Sequence, residues 1–464
     1  MPRPVLVRYA GLAGSLLLAV AAYFGGAHRP WAPTITPGTV AAGLNGILIP
    51  IAWLVGTALL IGAWLVGLRV VPSARWAYLT AAMWAVPLLA FLPLGSYDVY
   101  SYACQGWQQS AGLDPYSGGV DLLGCPWGDA VAPTWRSSPA PYGPVFLLLA
   151  AGAVKVGGSL AGTLALLRVI AVLGVVLIGA CLPVLCRRTG VPLSRAAWLA
   201  LACPLVPIHL ISGSHNDAVM VGFLVAGLAS AAARRPWLAG ALLGLAVGVK
   251  VTAVVVVPFA VLLLWHRRRP VLEFGGGLVL TLGAVSLLSG RGFGWVTGLV
   301  GSGVSVQWTA PSTAVGMTIK LLTGFDAVPV TRIIGIVALA VVLVVIWLRA
   351  ATGGDVLRYA ALALAATVVL APVFHPWYAT WPLALLATTL PHPTRWVTVP
   401  CAVAAALCMP DGYNLALAVK TQGAIAMTVF LLYLAGKSVH EAKNRHRRGA
   451  GPDHAGDRLS GREA

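Results

Sequence analysis

The chain has 464 residues, of which 59% are hydrophobic and only 9% charged. Soluble globular domains carry roughly 25% charged residues, so this composition excludes a water-soluble enzyme and a disordered chain alike, and lipid is the solvent that organises most of it. The formal charge of +18 comes from basic residues in small groups between apolar runs, such as Arg69 and Arg75, Arg187 and Arg188, Arg234 and Arg235, and Arg267 to Arg269. That is the pattern of a topology signal; no interleaved basic and aromatic stripe marks a nucleic-acid groove.

Apolar runs predict membrane spans near residues 5–26, 43–68, 76–95, 161–186, 192–212, 216–233, 237–249, 252–265, 271–289, 331–349, 357–374, 377–391, 396–410 and 415–436. They are expected to be helices, because lipid leaves every backbone N–H and C=O to be satisfied within the protein. Several fall short of the roughly 20 residues a span needs, so the expected architecture is an all-α polytopic membrane protein of about 12–14 transmembrane helices. Residues 1–75 form an N-terminal pair of spans, with the first retained rather than cleaved as a signal peptide. Residues 76–436 form the membrane body, and 437–464 read as a disordered cytoplasmic tail. Placing the first basic turn in the cytoplasm puts most Lys and Arg inside and concentrates carboxylates in one external loop, 96–160.

That loop opens with GSYDVYSYACQGWQQSAGLDPY. Asp98 follows the third apolar run, among Tyr97, Tyr100 and Tyr102. Partial desolvation there raises a carboxyl pKa and makes it a better base; the same position also suits a helix N-cap. Asp114, in GLDPY beside Tyr116, reads as a turn former or as a second polar contact for substrate. Cys104 and Cys125 both lie in this loop, either as a disulfide or as two unrelated small residues. TWRSSPAPYGP follows, holding Arg136 and Tyr142, and leads into an apolar stretch, 143–158, read as a helix lying at the outer interface. Arg136, Lys155 and Arg168 are either headgroup anchors or cations for a lipid-linked phosphate, with Lys155 and Arg168 ranked lower.

Three further clusters sit at outer turns. SGSHNDAVMVG holds His215, Asn216 and Asp217 at the start of a span, where Asp217 complements the helix dipole and ionisable groups beside a span are functional candidates. Lys250, in GVKVT, is a cation too costly for the middle of a bilayer. VFHPWYATWP holds Trp377, Tyr378 and Trp381, which read as interfacial belt residues or as rings that stack on a sugar, and His375, a candidate phosphate contact. No Cys or His spacing suggests a metal site. Every polar cluster falls at an outer turn rather than at the midplane, which favours an outer-face enzyme over a transporter, polyprenyl-lipid flippases included.

The stretches DVYSYACQG, GLDPY, WRSSPAPYGP, SGSHNDAVMVG, WTAPSTAVG and HPWYATWP, spread over about residues 76–385, together resemble the polyprenyl-phosphomannose-dependent alpha-1,6-mannosyltransferases, integral-membrane GT-C glycosyltransferases. The resemblance implies a GT-C-like body whose external catalytic loop carries interfacial helices. It implies a polyprenyl phosphate mannose donor, a lipoglycan mannan acceptor and an inverting displacement at the extracytoplasmic face. Asp98 matches the position of the base; Tyr100, Asp114, Tyr116, Arg136, Tyr142, His215, Asn216, Asp217, Lys250, His375, Trp377 and Tyr378 are the substrate-binding candidates. Neither cofactor nor metal is expected, and another polyprenyl-phosphate sugar, such as arabinofuranose, is the alternative donor. The sequence names no protein partner.

Overall fold

Each apolar run carries helix in the computed structural model, which describes residues 3–33, 44–299 and 305–449. Helix α1 (Arg3–Gly25) packs along α2 (Leu44–Val70). After α3 (Ala74–Ala85), capped by Ser73 Oγ accepting from Trp76 N at 3.2 Å, the chain tightens into a 3-10 turn and leaves helical structure at Leu88. The remaining body contains α4 (Asp98–Ser110), α5 (Pro144–Gly157), α6 (Leu160–Thr189), α7 (Leu193–Leu201), α8 (Asp217–Ala232), α9 (Pro236–Val249), α10 (Val257–Leu264) and α11 (Arg268–Leu288). It continues through α12 (Pro311–Thr323), α13 (Val328–Ala351), α14 (Val356–Leu370), α15 (Thr380–Thr389), α16 (Arg395–Ala406) and α17 (Lys420–Gly449). No strand occurs among the described residues.

By length and hydropathy, α1, α2, α6, α11, α13 and α17 can each cross a bilayer alone. A seventh span is broken: α7 and a π-helical segment, Val206–Ser212, meet at 62°, where Pro204 and Pro207 remove backbone donors. The body is an all-α polytopic membrane protein, but many expected spans are shorter than a bilayer. Apolar helices of 10–17 residues include α5, α8, α9, α14 and α16.

Burial explains how such short pieces hold their places. Helix α8 buries residues around nearly its whole circumference, from Asp217 to Ala231, and packs on α6 and α9. Helix α13 instead buries only Val328, Thr331 and Ala350, leaving a face of Ile and Val for lipid. Helix α5 buries Phe146, Leu147 and Ala150 and packs on α4 and α6. Gly106 makes this fit possible, since a side chain there would collide with the Ala150 carbonyl. Residues 437–449, expected in the disordered tail, continue α17, because they are rich in helix formers and Lys437 lies 4.0 Å from Glu441 one turn on. The remainder of that expected tail, 450–464, lies outside the described residues.

Candidate active site

Two carboxylates open helices without capping them. The N-cap of α4 is Tyr97, and Ser96 Oγ accepts from the Asp98 backbone N at 3.0 Å. Asp98 is therefore the first helical residue, with its side chain left for other work. Asp217 likewise follows the N-cap Asn216, at the end of a loop where Ser214 adopts a left-handed conformation, φ +53°. A non-glycine residue held there is strained, a condition concentrated at functional sites.

Asp217 is fully buried. Its Oδ1 accepts from Lys250 Nζ at 2.8 Å and from Trp381 Nε1 at 2.6 Å. Lys250 ends α9 in an extended conformation, and its ammonium lies over Tyr378 at 4.6 Å, Trp381 at 5.2 Å and Tyr142 at 5.8 Å. Buried charge is tolerable because it is paired, hydrogen-bonded and walled by ring faces. Tyr142 reaches the cation because Gly143 packs against the Gly248 backbone, where a side chain would not fit.

His215 stacks on Trp377 at 3.8 Å between centroids, and Trp377 stacks in turn on His375 at 4.8 Å. Tyr102 OH lies 3.2 Å from His215 Nδ1, and Asp98 Oδ2 lies 3.8 Å from the same nitrogen. Burial, the other histidines and Lys250 hold His215 well below the usual imidazole value, and burial with Lys250 takes His375 to about 3. Both rings are neutral near pH 7, so they act as hydrogen-bonding and stacking surfaces.

The Asp98 side chain is 14% exposed. Burial lifts its carboxyl to about 6, against the opposing pull of Lys250 and hydrogen bonding from Ser96 and Trp135. It stands at the junction of two cavities. The first, about 200 Å³, is lined by Asp98, Tyr142, Lys250, Trp377, Tyr378 and Trp381 among others. The second, about 170 Å³, is lined by Asp98, Trp31, Ser96, Gln307, Tyr413 and Asn414 among others. Trp135, His375 and Trp377 border both.

The fold thus gathers Asp98, Tyr142, His215, Asp217, Lys250, His375, Trp377 and Tyr378 from separate stretches. Asn216 is buried beside them, its side-chain amide without a hydrogen-bond partner among the described residues. The other candidates are engaged elsewhere. Tyr100 OH donates to Ala27 O at 2.8 Å. Asp114 Oδ1 accepts from Tyr116 N at 3.0 Å in a local turn, and Tyr116 packs with Ala140, Leu147 and Trp295. Arg136 pairs with Asp121 at 2.9 Å and donates to Gly128 O at 2.7 Å. Lys155 is exposed in the last turn of α5. Arg168 is buried and donates to the carbonyls of Leu89, Phe91 and Ser212; the unpaired carbonyls around the helix breaks recruited it, so it is a backbone clamp.

Sequence reasoning gave Trp135 and Tyr102 no role in the site, and read Trp381 as a belt or sugar-stacking ring rather than as a partner of Asp217. All three lie inside the quoted motifs, and the signal was an indole or phenol with a polar tip beside a candidate acid or histidine. The open question of Cys104 and Cys125 is closed: they form a disulfide, Cα–Cα 5.5 Å, that ties α4 to its loop. Among the described residues, no group of three or more His, Cys, Asp or Glu is placed to hold a metal ion.

Residues 8–266 match the family model described as "Alpha-(1->6)-mannopyranosyltransferase, N-terminal domain", and residues 309–436 match "MptB C-terminal domain". The first match holds Asp98, His215, Asp217 and Lys250; the second holds His375, Trp377 and Trp381. The chain is 34% identical over 409 residues to alpha-(1->6)-mannopyranosyltransferase A of Mycobacterium tuberculosis, covering 81% of this chain and 79% of that protein. It is 30% identical over 496 residues to a probable alpha-(1->6)-mannopyranosyltransferase of Mycolicibacterium smegmatis, covering 92% and 87%. It is 32% identical over 353 residues to alpha-(1->6)-mannopyranosyltransferase B of Corynebacterium glutamicum, covering 67% and 58%. No solved structure matches the chain. The extent of these matches, across the same segments that build the cavity, makes the chain a member of the alpha-(1->6)-mannopyranosyltransferase family.

Proposed function

We propose that the protein transfers mannose from polyprenyl phosphate mannose to a mannan acceptor, forming an alpha-1,6 linkage with inversion at the anomeric carbon, with Asp98 as general base. The observation that carries this reading is one cavity shared by a carboxylate tuned to about 6 and a lysine ammonium. A base is most effective with a pKa near the working pH, and a fixed cation is the group a departing phosphate needs. In the reaction, the acceptor 6-oxygen forms a bond to mannose C1 as the C1–O(phosphate) bond breaks. The hydroxyl proton passes to Asp98. The bond's electron pair leaves with polyprenyl phosphate, whose developing charge meets Lys250. Asp217 and Trp381 hold that ammonium in place, and the Trp377 and Tyr378 rings offer faces for the sugar. Lys250 supplies the positive charge in this scheme, and no metal or cofactor is assigned a step.

Two features support a site on the extracytoplasmic side. Helix α8 starts at Asp217 and ends before Arg234 and Arg235, and α9 returns from there to Lys250, so the basic pair lies at the helix ends opposite the site, as cytoplasmic turns do. The disulfide of Cys104, on the helix that Asp98 begins, belongs to an oxidising compartment.

The test is transfer of labelled mannose from polyprenyl phosphate mannose by protein in lipid nanodiscs. Asp98→Asn is expected to abolish transfer while donor binding persists. Full turnover by that variant removes Asp98 as base, and transfer from an arabinosyl but not a mannosyl donor removes the sugar assignment. Movement of polyprenyl lipid across the bilayer without any new glycosidic bond would assign the protein to lipid transport instead.

A further inference from the structure

The two cavities that meet at Asp98 differ in chemistry. The first contains Lys250 and continues between apolar side chains, including Leu299, Val251 and Ala371, a lining suited to a phosphate on a prenyl chain. The second has no Lys or Arg in its described lining. Apart from Asp98 at its inner end, its polar lining is uncharged and includes Ser96, Thr134, Ser305, Gln307 and Asn414. Gln307 Oε1 accepts from Asn414 Nδ2 at 3.2 Å, and Asn414 Oδ1 accepts from Ala416 N at 2.9 Å, so both amides are held in position before any ligand arrives. Trp31 and Tyr97 stand beside them with ring centroids 6.3 Å apart. Amides and hydroxyls beside aromatic faces suit an uncharged polyol, and they bring no positive charge to balance a departing phosphate.

We infer that the second cavity is the acceptor subsite, in which Gln307, Asn414 and Trp31 hold the terminal sugar of the acceptor with its primary hydroxyl against Asp98. The inference rests on the transfer reading above. An inverting displacement brings the incoming oxygen to the face of C1 opposite the leaving phosphate. The two substrates therefore enter from opposite sides of the base. Of the two, the first alone has a Lys or Arg in its described lining, which assigns the phosphate there and the acceptor to the other. The wall of Trp135, His375 and Trp377 shared by both cavities is then where the reacting atoms meet.

The experiment uses the full chain in lipid nanodiscs, with polyprenyl phosphate mannose as donor and an alkyl alpha-1,6-dimannoside as acceptor. Gln307→Ala removes hydrogen bonds worth about tenfold in acceptor KM. Thr134→Trp fills the second cavity from an exposed rim position and is expected to raise acceptor KM at least as far. Donor KM stays at the wild-type value in both, which also reports that the fold and the first cavity are intact. Lys250→Met shows the reverse pattern, raising donor KM. A rise in donor KM alone for the Gln307 and Thr134 variants overturns the assignment of the cavities, as does an unchanged acceptor KM in variants with wild-type donor KM. Failure of the wild-type protein to use the donor overturns the transfer reading itself and the inference with it.

Discussion

Lys250→Met separates the structural and chemical roles of one ammonium. The side chain lies 2.8 Å from a carboxylate that has no solvent exposure, so its removal leaves Asp217 with the Trp381 indole N–H as its hydrogen-bond donor among the described residues. Breaking a buried ion pair from one side costs about 3–5 kcal/mol, while removing both partners costs far less. Lys250→Met should therefore lower the thermal unfolding temperature in nanodiscs markedly, and Lys250→Met combined with Asp217→Asn should recover most of that loss. Transfer should behave differently. If the ammonium stabilises the departing phosphate, both variants lose roughly 10²- to 10³-fold in kcat, the range seen when one transition-state donor is deleted. The assay is the double-mutant cycle read in parallel by unfolding temperature and by labelled-mannose transfer. Recovery of activity along with stability in the double variant would refute the reasoning, because Lys250 would then serve only to neutralise Asp217.

The reaction should depend on pH through Asp98. A base must be ionised, and a carboxyl lifted to about 6 becomes increasingly protonated as pH falls through that value, so kcat should be flat above about pH 7 and fall about tenfold per unit below about pH 5; a profile flat down to about pH 4.5 contradicts it. Trp381→Phe keeps the ring but removes the bond to Asp217, and should lower stability by about 1.5–3 kcal/mol and raise donor KM, measured in the same nanodisc assays. Cys104→Ser should lower stability by about 3 kcal/mol, the entropic value for a closed loop of this size, given the 21-residue separation, with dithiothreitol reproducing the shift in the wild type and none in the variant. Arg168→Met should reduce folded yield, because three backbone carbonyls lose their donor, while leaving donor KM unchanged in the protein that folds.

The sequence made plain the membrane class and the helices, because both follow from local composition: a run of apolar residues must satisfy its backbone internally wherever it lies. It also marked Asp98, Asp217, Lys250, His375 and Trp377, because ionisable or polar groups are conspicuous against an apolar background. It placed Arg136, Arg168 and Lys155 on the same footing as Lys250, since charge alone does not reveal the partner. That distinction needed three dimensions. Arg168 meets the carbonyls freed where helices end, whereas Lys250 meets a buried carboxylate and three rings, contacts spanning 33 residues to Asp217 and more than 100 to Tyr378 and Trp381. Length alone marked several runs as too short to cross a bilayer, but local hydropathy does not distinguish burial in lipid from burial in protein, and only packing shows that α8 is surrounded by its own chain. The disulfide and the meeting of two cavities at Asp98 also belong to the tertiary structure, since both depend on the relative placement of segments that no local pattern encodes.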